Sequence, residues 1–218
     1  MVLNTEDRDV LQQARRHLQT MRETLPPDSC DTAPNSIVGA LLAVSFQHCD
    51  SILILMQAGE NDASVEALLR PAIESSLRLQ WLAEDKDRAK QIMANKMNFP
   101  SFSRLMGRFA KKPTNKDTGD PVKALHDYAH AGMLQLIRHV SESMNKRDPL
   151  EQGAVLRGAA FLVVLLAMIA CGSFCVFTER KDEGERIAGI FRDHLLRALT
   201  DALALLTTFI KTKGAAPG

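Results

Sequence analysis

Two histidines four residues apart could bind a metal ion or take part in catalysis. His126 and His130 occur in the segment Leu-His-Asp-Tyr-Ala-His, with Asp127 directly after the first histidine. Residues i and i+4 share a helix face, so two such imidazoles can hold one metal ion. In His-Glu-x-x-His zinc sites the intervening acid is the general base, a place taken here by Asp127 with a shorter side chain. His48 and Asp50 are candidates for a third ligand, and the structural alternative is a histidine pair hydrogen-bonded to neighbouring acids.

A row of polar and aromatic side chains in residues 70–81 is the second such group. Arg70, Glu74, Arg78 and Trp81 follow one another at three- and four-residue steps, so on a helix they lie within about 80° of one another. We call them the α3 row. Arg70 and Glu74 form an i,i+4 pair, and we expect Glu74 to contact Arg70 or Arg78 and Trp81 to be largely buried. The row is either a pocket floor that binds an anion or a salt-bridged network that fixes helix register.

These two groups would form one polar pocket if the histidine helix faces the α3 row. Burying so many polar groups is costly unless they satisfy one another, so their convergence would favour a functional pocket. The candidate site comprises Arg70, Glu74, Arg78, Trp81, His126, Asp127 and His130. We expect no cofactor and no bound metal; His126, His130 and His48 would be the ligands if a metal were held.

A basic stretch follows the α3 row along the chain, with cations at Arg104, Arg108, Lys111, Lys112, Lys116 and Lys123. Such a surface could hold the phosphates of RNA. The whole chain, however, has 27 basic and 26 acidic residues and a formal net charge of +1. This balance does not indicate a nucleic-acid or acidic partner, and we expect the stretch to be a solvated face.

Apolar residues at three- and four-residue steps predict helices along the chain. The predicted ranges are about 4–25, 36–56, 62–82, 88–98, 102–110, 121–144, 149–177 and 182–211. Pro71 lies inside the third helix, where we expect a kink or a late start near Leu68. Convincing strand alternation is absent. The prediction is an all-α, single-domain multi-helix bundle over residues 1–213, followed by a loose tail at 214–218.

Residues 158–177 form a run of twenty residues without a charge. Twenty helical residues span about 30 Å, which is the thickness of a bilayer core. The run nevertheless contains Gly158, Gly172 and Ser173, has no Trp or Tyr at its ends, and its flanks give no clear orientation signal. The neighbouring helices are amphipathic and need an apolar partner. We therefore predict a buried central helix in a soluble protein, with no membrane contact.

The cysteines and the N-terminus indicate the compartment. Cys30, Cys49, Cys171 and Cys175 include no C-x-x-C pair, and so few cysteines in a long chain do not suggest a disulfide framework. The first seventeen residues are charged throughout and lack the apolar region of a signal peptide. We expect a cytoplasmic protein.

Together, the α3 row and the histidine helix resemble a group of uncharacterised bacterial all-helical proteins, loosely similar to the HEPN domains of toxins and phage-defence systems. The resemblance rests on Arg70-Pro-x-x-Glu74 followed by Trp81-Leu, and on the later His126-Asp-x-x-His130. It covers roughly residues 36–140. It implies a helical domain acting in defence, with these arginine, glutamate and histidine positions as the matched ones.

HEPN ribonucleases share an arginine followed, after four to six residues, by a histidine, and this spacing is absent here. Lys123, separated from His130 by six residues, is the nearest match, and lysine lacks the planar fork of arginine. The first hypothesis is therefore a non-catalytic helical interaction or regulatory module, a homodimer with a further protein partner. The alternatives are a HEPN-like RNA-binding or RNA-cleaving protein and a metal-dependent bundle enzyme that uses His126 and His130.

Overall fold

The computed structural model describes residues 5–25, 33–58, 62–111 and 149–196, and the regular structure in these ranges is α-helical. The helices are α1 (Thr5–Thr24), α2 (Ala33–Ala58), α3 (Asp62–Ala83), α4 (Asp87–Met93), α5 (Phe102–Lys111) and α6 (Pro149–Thr178), followed by α7 over residues 181–196. The predicted all-α multi-helix fold is confirmed. The predicted helix over 121–144 and the predicted tail at 214–218 lie outside the described residues.

Helix α6 is the centre of the bundle. It packs against α1, α2 and α3, and every side chain from residue 162 to residue 171 is buried. Removing a leucine or valine side chain from water stabilises the fold by about 1.5–3 kcal/mol, which makes this helix the main apolar support of the others. The prediction of a buried central helix over 158–177 is confirmed, with Val176 left 63% exposed near its end.

One helix boundary differs from the sequence prediction, and one alternative is excluded. Helix α3 begins at Asp62, as in the predicted range, and continues through Pro71, which excludes a late start near Leu68. The proline removes one backbone donor, and the helix packs against α2 and α6. Helix α4 ends at Met93 rather than near 98. Asn95 takes a φ of 54°, and a residue in this left-handed region ends a helix.

A small hydroxyl cluster joins α2, α3 and α6 inside the core. Ser76 Oγ lies 2.9 Å from Ser45 Oγ and 3.2 Å from the carbonyl oxygen of Leu166. Nearby, Cys49 Sγ donates to the carbonyl oxygen of Val163. Both serines are fully buried, so these bonds supply the partners that buried hydroxyls need. Small side chains here also let the three helices approach closely.

An ion pair attaches α1 to the first half of α6. Arg157 contacts Asp7 at 3.3 Å and Glu6 at 3.5 Å, and Asp7 is buried. Farther along α1, the rings of His17 and His194 meet edge to face at 4.8 Å, and His194 stacks on Phe161. These contacts connect α1, α6 and α7.

Candidate functional site

In the structure, Glu74 of the α3 row pairs with the arginine one turn later. Arg78 Nη2 lies 2.5 Å from Glu74 Oε1, and its guanidinium stands 4.8 Å over the ring of Phe99. Trp81 is only 7% exposed. The prediction that Glu74 contacts one of the two arginines and that Trp81 is buried is confirmed.

Arg70 contacts an aromatic ring instead of Glu74. Its guanidinium lies 5.1 Å over the ring of Phe102, at the first residue of α5, and the residue as a whole is exposed. Because α5 packs on α3, an aromatic face becomes available to Arg70 that the sequence of α3 alone does not reveal. The i,i+4 ion pair between Arg70 and Glu74 does not form.

Arg88, which sequence analysis missed, extends the α3 row. It donates to the carbonyl oxygen of Trp81 at 2.5 Å, contacts Glu84 at 3.1 Å and lies 4.7 Å over the indole. Arg108 of α5 reaches the same carboxylate at 2.9 Å. These contacts fasten the segment after α3 and the helix α5 to the end of α3. The arrangement is that of a structural network, because its guanidinium groups face carboxylates and aromatic rings.

The histidine half of the candidate pocket, His126, Asp127 and His130, lies outside the described residues, so its convergence with the α3 row stays a prediction. Of the candidate third ligands, His48 is half-buried on α2, and Asp50 pairs with Arg15 of α1 at 3.3 Å. Within the described ranges, no group of three histidine, cysteine or acidic residues is placed to hold a metal ion.

A polar groove of about 750 Å³ separates α1 from α2. Arg15 lies in it, bonded to both Asp50 and Gln57, and Arg16 and Arg22 line the same groove. Within the groove, Asp50 faces α1. It is the only Asp, Glu, Lys or Arg between Ala33 and Ala58.

The opposite side of α2 is exposed, apart from the half-buried Ser51, and carries no charge. We define the α2 outer face as Ala40, Ala43, Val44, Gln47, Ser51, Ile54 and Ala58, which follow one another at steps of one to four residues. Val44 is 39% exposed and Ile54 is 45% exposed. A surface helix usually places charged residues on this side. The sequence alone did not indicate this face, because it depends on which sides of α2 the other helices cover.

Two described helices are long and apolar enough to cross a membrane: Pro34–Ala58, with a mean hydropathy of 1.7, and Leu156–Thr178, with 2.7. The two helices differ in burial. Of the most apolar window of each helix, 39% is buried in the first and 83% in the second. The second value is typical of the core helix of a bundle, whereas the first leaves apolar surface without a partner among the described residues.

The described thiols are poor nucleophiles. Burial raises the pKa of Cys49 to about 12 and that of Cys175 to about 11, and it raises the pKa of Cys171 well above its usual value. The reactive form of a cysteine is the thiolate, so these side chains serve as small core residues.

Residues 35–118 match a family described as a family of unknown function (DUF5677). The match begins at the start of α2 and continues past the end of α5, so it includes the α3 row and the α2 outer face and covers less than half of the chain. No curated protein and no solved structure matches this chain.

Proposed function

We propose that this protein is a non-catalytic helical interaction module that binds its partner through the α2 outer face. The proposal includes a cytoplasmic location and a regulatory role, with the toxin and phage-defence context that the HEPN-like resemblance implies.

The observation that carries the proposal is the exposure of an apolar, uncharged helix face. Charged residues make up 24% of the chain, yet the α2 outer face has none along the whole helix. Leaving apolar surface in water forgoes about 25 cal/mol for each Å² that a partner could cover. Contiguous apolar surface of this kind marks interaction sites on soluble proteins.

The arrangement of the α3 row supports an interaction module rather than an enzyme. Glu74 is engaged by Arg78, and Glu84 is engaged by both Arg88 and Arg108. A general acid or base must be free to exchange a proton with a substrate. These carboxylates instead hold helices and the segment between them together.

Photo-cross-linking in cells tests this proposal. Gln47, at the middle of the α2 outer face, is replaced by a benzoyl-phenylalanine residue, and the matched control carries the same group at Met93, an exposed apolar position on α4 (47% exposed). We expect a discrete protein adduct from position 47 and none from position 93. Val44→Lys, introduced beside the probe, should suppress the adduct. Equal cross-linking from both positions would contradict the proposal.

Binding of RNA is a second candidate function, favoured by one observation. Arg70 and Arg104 are exposed, and neither forms an ion pair with another described side chain, in contrast to Arg108. Two arginine forks on neighbouring helices could contact phosphate groups. Single-stranded RNA binding that weakens steeply with salt, and that Arg104→Glu abolishes, would favour this function. Unchanged binding by Arg104→Glu would exclude this surface.

A further inference from the structure

We propose that the occupant of the α2 outer face is a second copy of this chain, with the two α2 helices antiparallel about a twofold axis at Gln47. The inference rests on the proposed function, because it assigns a partner to the docking surface proposed above. It also adds a geometry, which follows from the positions of large and small side chains along the face.

The spacing of residues on either side of Gln47 is self-complementary. Ala40 and Ile54 each lie seven residues from Gln47, and Ala43 and Ser51 each lie four residues from it. A twofold axis at Gln47 therefore places Ile54 against Ala40 of the second copy, and Ser51 against Ala43. The large side chain meets the small one at both ends of the contact, as close helix packing requires.

A parallel arrangement lacks this fit. It would place Ile54 against Ile54 of the second copy and Ala40 against Ala40, so that one end of the contact is crowded and the other leaves a gap. Gaps and overpacking both cost stability. The positions of Ala40 and Ile54 thus favour the antiparallel dimer.

The polar character of the face also suits a copy of itself. In an isologous interface, a residue near the twofold axis lies close to the same residue of the second copy. A charge there would therefore repel its own counterpart. The α2 outer face has no charged residue, and the carboxylate of the neighbouring Asp50, which is 49% exposed, is paired with Arg15 of α1. Gln47 carries two amide donors and one acceptor oxygen, so two Gln47 side chains across the axis can exchange two hydrogen bonds.

The size of the face predicts a weak, transient dimer. A helix of 26 residues is about 39 Å long, and a strip about 10 Å wide along it covers roughly 400 Å². A standard interface buries about 800 Å² on each partner. The half-buried Ile37, Leu41 and Leu55 beside the strip add apolar area. We expect a reversible dimer that dissociates on dilution.

Disulfide trapping tests the geometry in full-length protein carrying Cys30→Ser, since the other three native thiols are buried. The variants are Gln47→Cys, Ala40→Cys and Ile54→Cys. We expect Gln47→Cys to form a disulfide dimer by itself, and Ala40→Cys to form one only when mixed with Ile54→Cys. Dimers of Ala40→Cys alone would overturn the antiparallel arrangement.

Sedimentation equilibrium separates failure of this inference from failure of the proposed function. We expect the unmodified chain to dimerise, Val44→Lys to raise the Kd at least tenfold, and Met93→Lys to leave it unchanged. A monomeric chain whose Gln47 probe captures a different protein would refute the second copy and retain the interaction module. A monomeric chain that floats with phosphatidylcholine vesicles through α2 would refute both, as would a monomeric chain that does neither.

Discussion

Helices α2 and α6 share one compositional feature and have opposite environments. Both are long and apolar enough to pass for membrane spans, but 83% of the apolar window of α6 is buried and only 39% of that of α2. Helix α6 is surrounded by α1, α2 and α3. Helix α2 contacts α1, α3, α4 and α6, and its outer face has no neighbour among the described helices.

An apolar helix with few or no charged residues therefore has two explanations in a bundle. If it is covered on all sides, its composition reflects the core. If it is covered on one side, the uncharged outer side needs a separate explanation, and a partner provides one. We therefore expect α2 to have one protected and one exposed face. We also expect side chains of α6 to contribute more to stability than side chains of the α2 outer face.

Thiol labelling should show the largest contrast, between the two faces of α2 itself. Cys49 is fully buried with a pKa of about 12, so at pH 8 roughly 10⁻⁴ of it is thiolate, against roughly 0.2 for an exposed thiol of pKa about 8.5. In dilute, reduced protein we expect Gln47→Cys to react with N-ethylmaleimide on the order of 10³ times faster than Cys49. Mass spectrometry of labelled peptides measures both rates. Similar rates would mean that α2 has no protected side.

Truncation of matched aliphatic residues should show the next largest effect. Leu166→Ala, at a position of α6 with no exposed surface, should lower the free energy of unfolding by about 2–5 kcal/mol through lost burial and a cavity. Ile54→Ala, on the α2 outer face, should change it by less than about 0.5 kcal/mol in monomeric protein. Urea denaturation followed by circular dichroism measures both. A loss at Ile54 as large as that at Leu166 would place α2 in the core.

Removing one hydroxyl from the cluster between the two helices should have a smaller effect. Ser76→Ala deprives Ser45 and the carbonyl oxygen of Leu166 of a partner, and we expect a loss of about 1–2 kcal/mol. Ser51→Ala, a hydroxyl on the α2 outer face, is the matched control and should be nearly neutral. If the two variants were equally stable, the cluster would not hold α2 and α3 to α6.

Breaking the ion pair of the α3 row should have the smallest effect. Glu74 and Arg78 keep 25% and 31% of their side-chain surface exposed, so water can partly replace the lost partner. We expect Glu74→Ala to cost about 0.5–1 kcal/mol, at the lower end of what a partly buried pair contributes. Glu74→Gln, which keeps a hydrogen-bond acceptor, should recover part of the loss. A midpoint unchanged within error would make the pair a solvated contact.

Much of the fold was predictable because local pattern determines it. The three- and four-residue spacing of apolar side chains predicted α1 to α7, and the uncharged run over 158–177 predicted the central helix. The contact of Glu74 with Arg78 was also predictable, since residues one helical turn apart face each other. The end of α4 was not predictable in this way, because it depends on the left-handed Asn95.

The helices, and the side chains that share a face on each, follow from the sequence pattern alone, because both depend on the period of one chain segment. Which faces meet depends on how the helices pack against one another. Arg70 contacts Phe102 and Arg88 contacts Trp81, because α5 and the segment after α3 fold back onto α3. Likewise, α2 and α6 are both long and apolar enough to cross a membrane, and only packing shows that α6 is buried along residues 162–171 while the α2 outer face has no neighbour among the described helices.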